Sequence, residues 1–216
     1  MIGHAIDANA PVAGFRRGRV PGHLRAEQLL DVAEQLFAGA GYGQVSIQGI
    51  ALAAGITRPV VYQHFGSKDG IYLACLRRAR AQLVTMLFDA IASTSDARTQ
   101  LERGADAYFR LVETDPARWR LLFGGGAALS GAVAEEAIRL HLATEARFAD
   151  LLRPLAPNAD EHTLLAYAHA IGGAAHQMAQ WWLRTPGVTR AQVVEWYRAA
   201  SWDGLRGLID GPAAPG

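Results

Sequence analysis

Residues 46–65, SIQGIALAAGITRPVVYQHF, constrain the fold most, because they have the pattern of two short helices joined by a tight turn. Ser46 is a good N-cap for a first helix that ends at Gly55. Thr57 is a second N-cap residue, and Pro59 falls in the first turn of the next helix, where its missing N–H costs no hydrogen bond. Two short helices around a glycine-containing turn indicate a helix-turn-helix, whose second helix enters the major groove of DNA.

The second of these helices keeps a polar and cationic outer side that burial alone does not require. We expect Ala51, Ile56 and Val61 to pack the two helices together. The residues left on the outer side are Arg58, Pro59, Tyr62, Gln63 and His64. Arginine can hold a guanine through two hydrogen bonds, and tyrosine and histidine can donate to phosphates. Lys68 begins the following helix, where its ammonium group and the helix N-terminus suit a phosphate.

The longer stretch SIQGIALAAGITRPVVYQHFGSKDGIY resembles the DNA-binding signature of TetR-type transcriptional regulators. The shared features are a hydroxyl residue that begins the first helix, the AGI turn, a second hydroxyl cap and the run YQHFGSKD, and the resemblance covers about residues 22–75. Two departures from the pattern are Gly49 and the GIY that follows Asp69. A glycine at position 49 weakens its helix by up to about 1 kcal/mol relative to alanine.

The resemblance also implies roles for individual residues. Base contacts fall on Gln48, Arg58 and Pro59, and phosphate contacts fall on Ser46, Thr57, Tyr62, His64 and Lys68. Other roles stay open: Thr57 and Pro59 could serve only as helix caps, and Tyr62 and His64 could pack on neighbouring helices. Arg58 is the strongest candidate for reading the DNA sequence.

The rest of the chain shows helical periodicity and no alternating strand pattern, which predicts an all-α fold of about nine helices. A three-helix helix-turn-helix domain is expected over residues 22–67, with its first helix ending near residue 40 at GAGYG. A larger helical regulatory and dimerisation domain follows over residues 68–210, and a helix at about 68–94 links the two domains. The later helices are expected at about 97–114, 116–123, 130–153, 160–184 and 189–209. This layout is the one that the TetR-type resemblance implies.

The two chain ends are predicted to be unstructured. Residues 1–21 have no periodic apolar pattern, and the charges between residues 8 and 26 are four arginines without an acid, so we expect a flexible basic arm. Such an arm is either a solvated tail or a contact to phosphates or the minor groove. Residues 211–216 are expected to be a disordered tail. Because the net charge of the whole chain is only +1, any argument for a nucleic-acid partner depends on such local clusters.

The regulatory domain carries enough aromatic residues to line an apolar cavity for a hydrophobic or aromatic effector. The predicted pocket residues are Tyr108, Phe109, Trp119, Phe123, Phe148, Tyr167 and Trp181. The alternative is that each belongs to the core of a helical bundle. The loop FGGGAALSG lacks the lysine of a phosphate-binding loop and is read as a mobile loop beside the pocket.

The last two long helices are the predicted dimer contact. Residues 166–179 are rich in alanine and glycine, which let helices approach closely, and the resemblance also implies a four-helix interface. The predicted interface residues are His169, Gly172, His176, Trp196, Tyr197 and Ala200. The alternative is that the small residues pack within one subunit.

Histidine and cysteine patterns give no metal site. His162, His169 and His176 recur every seven residues on one helix face, about 10.5 Å apart, which is too far for shared coordination. An interface position with some pH sensitivity suits them better. Cys75 is the single cysteine, so it excludes an intrachain disulfide, and a buried hydrophobic role is more common for such a residue than redox sensing.

The sequence therefore predicts a ligand-responsive transcriptional regulator that binds a pseudo-palindromic operator in double-stranded DNA as a homodimer. A repressor released by a small apolar or aromatic effector is favoured, and the alternative is a constitutive helix-turn-helix protein controlled by a protein partner. No nucleophile–base pair or cofactor loop was found, so neither an enzyme nor a cofactor is expected. A cytoplasmic location without membrane association is expected, since residues 1–15 do not have the pattern of a signal peptide and no long uninterrupted apolar run occurs.

Overall fold

The computed structural model describes residues 21–92, 94–124 and 129–210. Within these ranges the chain forms nine helices and no strand, which confirms the predicted all-α fold. The helices in chain order are α1 (Gly22–Gln44), α2 (Ile47–Ala53), α3 (Arg58–Phe65), α4 (Lys68–Ile91), α5 (Ala97–Thr114), α6 (Pro116–Phe123), α7 (Gly131–Leu152), α8 (Glu161–Trp182) and α9 (Arg190–Asp210). The basic arm up to residue 20, most of the FGGGAALSG loop and the tail 211–216 lie outside the described residues.

The observed helix ends follow local capping. Ser46 caps α2 by accepting a hydrogen bond on Oγ from the backbone N–H of Gly49 at 3.0 Å. Asp96 and Asp160 cap α5 and α8 in the same way, each accepting from the N–H three residues later at 2.8 Å. Thr57 occupies the N-cap position of α3 without a side-chain hydrogen bond, and Pro59 lies in its first turn as predicted. Such caps satisfy the orphan donors of a helix end and are visible in the sequence.

Helix α1 differs from the prediction at its C-terminal end. The chain leaves helical geometry at Gly41, where φ is 77° and ψ is 161°, but a short helical segment then continues to Gln44. Glycine allows this left-handed φ because it has no Cβ. The expected stop at GAGYG is therefore a kink, and it places Tyr42 on a further helical turn.

The chain packs as two compact units whose boundary lies within α4. Among the described residues, the first unit comprises those up to Ala79 together with those between Arg120 and Ala137, and the second comprises those of Arg80–Trp119 and those from Ile138 onward. This division by packing falls after Ala79, whereas the sequence suggested a boundary at residue 67. The difference arises because the first turns of α4 carry the buried residues Ile71, Tyr72, Cys75 and Leu76.

The core of the first unit joins α1 to the helix-turn-helix. Leu29, Ala33, Ile50 and Val61 are fully buried. The rings of Phe37 and Tyr72 meet edge to face with centroids 5.1 Å apart. Arg78 adds ion pairs from α4 to three acids of α1, at 2.9 Å to Glu27, 2.9 Å to Asp31 and 2.8 Å to Glu34. These contacts hold the start of α4 against α1.

The core of the second unit centres on Phe109 of α5, which is fully buried. Its ring meets Trp182 of α8 at 6.0 Å and Tyr197 of α9 at 5.7 Å, both edge to face. The hydroxyl of Tyr197 donates to the carbonyl of Ile171 at 3.0 Å. None of the helices in the described ranges is long and apolar enough to cross a membrane.

Candidate DNA-binding surface and regulatory core

The turn between α2 and α3 is built from backbone hydrogen bonds. The N–H of Ala54 donates to Ile50 O at 2.9 Å, and the N–H of Ile56 donates to Ala51 O at 2.9 Å. Gly55 takes a φ of 64°, which other residues rarely adopt. Ala51 and Val61 are buried and Ile56 is half-buried, as the predicted packing between the two helices requires.

The outer side of α3 is exposed as predicted, because Val61 is its only buried residue. Exposed side chains on α3 are those of Arg58, Pro59, Tyr62 and Gln63, with Tyr62 50% exposed. His64 is half-buried and lies near the start of α1, since a Cβ on Gly22 would come within 3.9 Å of its Cε1. Ser46, Gln48 and Thr57 are exposed beside them in the chain. The predicted contact residues are thus available at the surface, and their roles toward DNA stay predictions.

Leu52 is an exposed residue of this surface that the sequence reasoning missed. It is 75% exposed on α2, one turn after Gln48 and on the same side of that helix. The sequence signal that could have singled it out is its spacing of four residues from Gln48, which puts both side chains on the same face of α2. Apolar side chains at a DNA surface can contact the methyl group of thymine.

Lys68 is held in place by residues from the kinked end of α1. Its ammonium nitrogen lies 4.3 Å from the centre of the Tyr42 ring and 3.5 Å from the carbonyl oxygen of Gly43. The Tyr42 hydroxyl in turn donates to the Asp69 carboxylate. Partial burial and this hydrogen bond raise the pKa of Tyr42 to about 12, so the hydroxyl keeps its proton. Tyr42 and Asp69 therefore position Lys68, and neither was among the predicted site residues.

Gly70 explains one of the departures from the TetR-type pattern. A Cβ at this position would lie 2.0 Å from the carbonyl oxygen of Phe65, a distance that no side chain can occupy. The N–H of Gly70 also donates to Ser67 Oγ at 2.9 Å. The tight join between α3 and α4 thus requires glycine, because the two helix ends approach closely there.

The predicted effector-pocket residues lie in several different environments. Tyr108, Phe109 and Trp119 are buried together in the second unit, where Trp119 Nε1 donates to the Tyr108 hydroxyl at 2.8 Å. Phe148 and Tyr167 pack on another buried cluster of the same unit, around Leu164. The remaining two are Trp181, which is 42% exposed, and Phe123, which belongs to the first unit. A shallow depression on α4 is lined instead by Ala81, Gln82, Thr85, Met86 and Asp89.

The predicted dimer residues also lie in different environments, some of them buried within the second unit and others exposed. Tyr197 is buried inside the second unit, and Gly172 faces Glu145 of α7, so for these two the alternative of packing within one subunit applies. Trp196 is 45% exposed, and its ring lies 6.1 Å from that of the exposed Trp181. Further exposed residues of α8 and α9 are Ala166, Ala170, Gly173, Gln177, Ala199 and Ala200. Together with Trp181 and Trp196, these residues form a mostly apolar exposed surface, called here the apolar face of α8 and α9. The dimer contact stays a prediction, and this face is the surface that suits it.

His169, one of the three evenly spaced histidines of α8, lies near the carboxylate of Glu145, which was not among the predicted site residues. Glu145 Oε1 lies 3.9 Å from His141 Nδ1, and Glu145 Oε2 lies 4.0 Å from His169 Nδ1. Burial raises the pKa of Glu145 and lowers the pKa of His141. His176 stacks on Trp119 with centroids 5.4 Å apart, and burial lowers its pKa too. No group of three or more His, Cys, Asp or Glu suited to a metal ion occurs in the part of the chain that the structure describes.

Cys75 is buried beneath α1, with Sγ 3.8 Å from the carbonyl oxygen of Leu30. Burial raises the pKa of its thiol far above the usual range. A thiol in this state is a poor nucleophile, because the thiolate is the reactive form. The environment favours the reading of a small buried hydrophobic residue over redox sensing.

Comparisons with known proteins agree with this geometry. Residues 29–75 match the family model described as bacterial regulatory proteins, tetR family. The chain is 31% identical to the HTH-type transcriptional activator FasR of Mycolicibacterium smegmatis over 90% of each protein. It is 37% identical to the HTH-type transcriptional repressor KstR2 of Rhodococcus jostii over 36% of this chain and 38% of that protein. A solved structure of the fatty acid degradation regulator FadR from Bacillus halodurans superposes with a TM-score of 0.71 over 82% of this chain and 98% of that one, at 16% identity.

The extent of these matches decides the family. The likeness to FasR spans nearly the whole chain at an identity above 30%, and the family model covers the helix-turn-helix that the geometry identifies. The family and these relatives are transcription regulators, not enzymes. The chain therefore belongs to the TetR family of DNA-binding transcriptional regulators.

Proposed function

We propose that the protein is a dimeric, ligand-responsive repressor that binds a pseudo-palindromic operator. The observation that carries the DNA-binding part of the proposal is the exposed outer side of α3 beside Lys68, which Tyr42 and Gly43 hold at the start of α4. In a helix-turn-helix dimer, two such surfaces meet successive major grooves about 34–36 Å apart. Arg58 reads a base, and Lys68 binds a phosphate.

The dimer contact in this proposal is the apolar face of α8 and α9. Exposed tryptophans next to small residues on two neighbouring helices support it, because large apolar side chains at a surface mark interaction sites. Two copies that join through this face form an isologous interface, in which each helix meets its counterpart. A two-fold dimer predicts a pseudo-palindromic operator.

The effector is a small apolar or aromatic molecule bound in the second unit. Three of the predicted pocket residues, Tyr108, Phe109 and Trp119, lie together there. The FadR structure with the same fold belongs to a regulator of fatty acid degradation, which is consistent with an apolar effector for this chain. A coupling of about 1–3 kcal/mol between effector and DNA would change operator affinity about 5- to 150-fold.

Activation is the second candidate, because FasR, the relative matched over 90% of its length, is named an activator. The two functions use the same DNA surface and differ in where the operator lies relative to the promoter. In vitro transcription from a template that carries the operator separates them. A transcript that falls as protein is added supports repression, and one that rises supports activation.

The test of DNA binding is selection of bound sequences from a random duplex library with the purified protein. We expect an enriched inverted repeat for the wild type. Arg58→Ala should relax the preference at one base pair of each half-site, at a cost of about 1–3 kcal/mol. Arg184→Ala removes an exposed arginine in the second unit and is the matched control, which should leave the repeat unchanged. No enriched repeat from a folded wild type would refute the proposal.

A further inference from the structure

The DNA-binding proposal does not use the buried carboxyl group of Glu145 on α7. Only 8% of this side chain is exposed. Its Oε2 atom is fully buried and has no hydrogen-bond partner among the described residues. Buried carboxyl groups are normally paired, because the loss of solvation is otherwise uncompensated. A carboxyl oxygen left in this state is available to a hydrogen-bond donor from outside the chain.

Groups of α7 and α8 lie beside this carboxyl group, and Arg80 of α4 and Tyr108 of α5 are close enough to interact with its charge. The nearest nitrogens of His141 and His169 stand 3.9 Å and 4.0 Å from its oxygens, beyond hydrogen-bond range. On the other side, a Cβ on Gly172 would lie 3.3 Å from Oε2, so the carboxyl rests against the α8 backbone. The two partly exposed imidazoles offer a ligand a route to Oε2.

The two histidines are partly exposed, whereas the carboxyl group is buried. The side chain of His141 is 43% exposed and that of His169 is 47% exposed. Exposed side chains change rotamer within picoseconds to nanoseconds, so rotation of these rings admits a small group without rearrangement of the helices. His169 lies at the edge of the apolar face of α8 and α9, which places the site at the margin of the proposed dimer contact.

An apolar strip adjoins the histidines. Ile138 and Leu142 are 58% and 51% exposed. They lie one turn apart on the side of α7 that also carries His141 and Glu145, as the spacing of three and four residues requires. A ligand with a polar head and an apolar body would meet both the carboxyl group and this strip.

We infer that Glu145, His141 and His169 form a binding site for the head group of an amphiphilic amine or alcohol, with the body of the ligand on Ile138 and Leu142. The inference rests on the proposed function, since it takes the effector to bind in the second unit, but it places the ligand on α7 and α8 and not among Tyr108, Phe109 and Trp119. The head group donates a hydrogen bond to Glu145 Oε2. An ammonium or hydroxyl group suits this acceptor, whereas a free carboxylate would be repelled by it.

The charged and titratable groups around the site act on the ionisation of Glu145. The groups that influence Glu145 or His141 are Arg80 of α4, His169 and His176 of α8, and Tyr108 of α5. Arg80 and His169 favour the ionised form of Glu145, and burial opposes it. A donor head group favours the ionised form further, because it hydrogen-bonds to the carboxylate.

The test is calorimetric titration of the purified full chain, in the presence of EDTA, with octylamine, octanol and octanoate and with benzylamine, benzyl alcohol and benzoate. We expect an amine or alcohol of at least one series to bind at least about tenfold more tightly than the matching carboxylate. This comparison uses the wild type alone, so it holds whether or not a variant folds.

Variants locate the site. Glu145→Gln removes the charge without changing the shape, and it should weaken amine binding about tenfold. Glu135→Gln makes the same change at an exposed position of α7 and is the matched control, which should bind like the wild type. Circular dichroism and the thermal midpoint establish that Glu145→Gln is folded.

Three results would overturn the inference: carboxylates that bind as tightly as both the matching amine and the matching alcohol, an amine or alcohol affinity that Glu145→Gln leaves intact, or no binding of any amine or alcohol. Library selection on the same protein tests DNA binding separately. Amine binding that depends on Glu145 in a protein without an enriched DNA repeat would refute the DNA proposal alone. An enriched repeat without amine binding would refute this inference alone.

Discussion

The contact between Lys68 and Tyr42 allows a sharp prediction about DNA affinity. Substitution of Tyr42 with leucine removes both the ring beneath the Lys68 ammonium, 4.3 Å away, and the hydroxyl that donates to Asp69. Lys68 then loses its fixed position although its charge remains. Substitution with phenylalanine removes only the hydrogen bond to Asp69. The two variants therefore separate the ring contact from the hydroxyl contact.

The magnitude follows from the contacts. A cation–π interaction at an exposed site contributes about 0.5–1 kcal/mol. Without the Tyr42 ring, the Lys68 side chain is mobile in the free protein and must be immobilised when it binds the phosphate. Tyr42→Leu should therefore weaken operator binding by about 0.5–1 kcal/mol per half-site, or about 2- to 5-fold. A dimer with two half-sites should lose about 5- to 30-fold in all. Tyr42→Phe should lose clearly less, because the ring remains.

The assay is fluorescence anisotropy of a labelled operator at several salt concentrations. Lys68→Ala removes one phosphate contact per subunit, so the slope of log affinity against log salt should become shallower by about 1.8 in the dimer. Tyr42→Leu should change affinity with a smaller change in slope, since the charge is retained. All sequences should be weakened alike, because phosphate contacts carry no base information.

Two results would refute this reasoning. One is a Tyr42→Leu protein that is folded and binds the operator as tightly as the wild type, which would show that Lys68 needs no positioning. The other is a Lys68→Ala protein whose sequence preference changes, which would make Lys68 a base-reading residue.

Three further predictions concern folding and assembly. Gly70→Ala should destabilise the first unit by about 1–3 kcal/mol in urea unfolding, because its Cβ would lie 2.0 Å from Phe65 O; an unchanged midpoint would mean that the junction relaxes freely. Gly49→Ala is the same chemical change without a clash, since its Cβ would stand 3.4 Å from Ser46 Oγ. It should stabilise α2 by up to about 1 kcal/mol in the same measurement, because alanine has the higher helix propensity. A loss of stability would contradict this account of position 49. Trp196→Glu places a charge on the apolar face of α8 and α9 and should shift the protein toward monomer in sedimentation experiments; an unchanged dimer would show that the contact lies elsewhere.

Helix positions were predictable because their causes are local. The expected spans 97–114 and 116–123 match α5 and α6, and the later helices agree within about two residues, the usual uncertainty of helix ends. Caps such as Ser46 and Asp160, and the proline at position 59, act within one helical turn. The same local signals, together with the apolar and polar residue types of residues 58–65, were sufficient to identify a helix-turn-helix.

The parts that could not be predicted join residues far apart in the chain. Tyr42 and Asp69 are separated by 27 positions, and the hydrogen bond between them depends on the kink at Gly41 and the start of α4. The environments of the aromatic residues of the predicted pocket and of the small residues of α8 could not be predicted for the same reason. A helical period reveals which residues share a face, but not whether that face meets the core, a ligand or a second subunit.

The sequence by itself thus determined the all-α class, the helix-turn-helix and the exposed residues of α3, because backbone capping and apolar periodicity act over a few residues. Only the tertiary structure decided that Lys68 rests on Tyr42, that Gly70 meets Phe65 and that Glu145 lies between His141 and His169. The physical reason is that side-chain contacts between helices depend on how those helices pack. Helix packing sums many weak contacts over the whole unit, and no single stretch of sequence contains that sum.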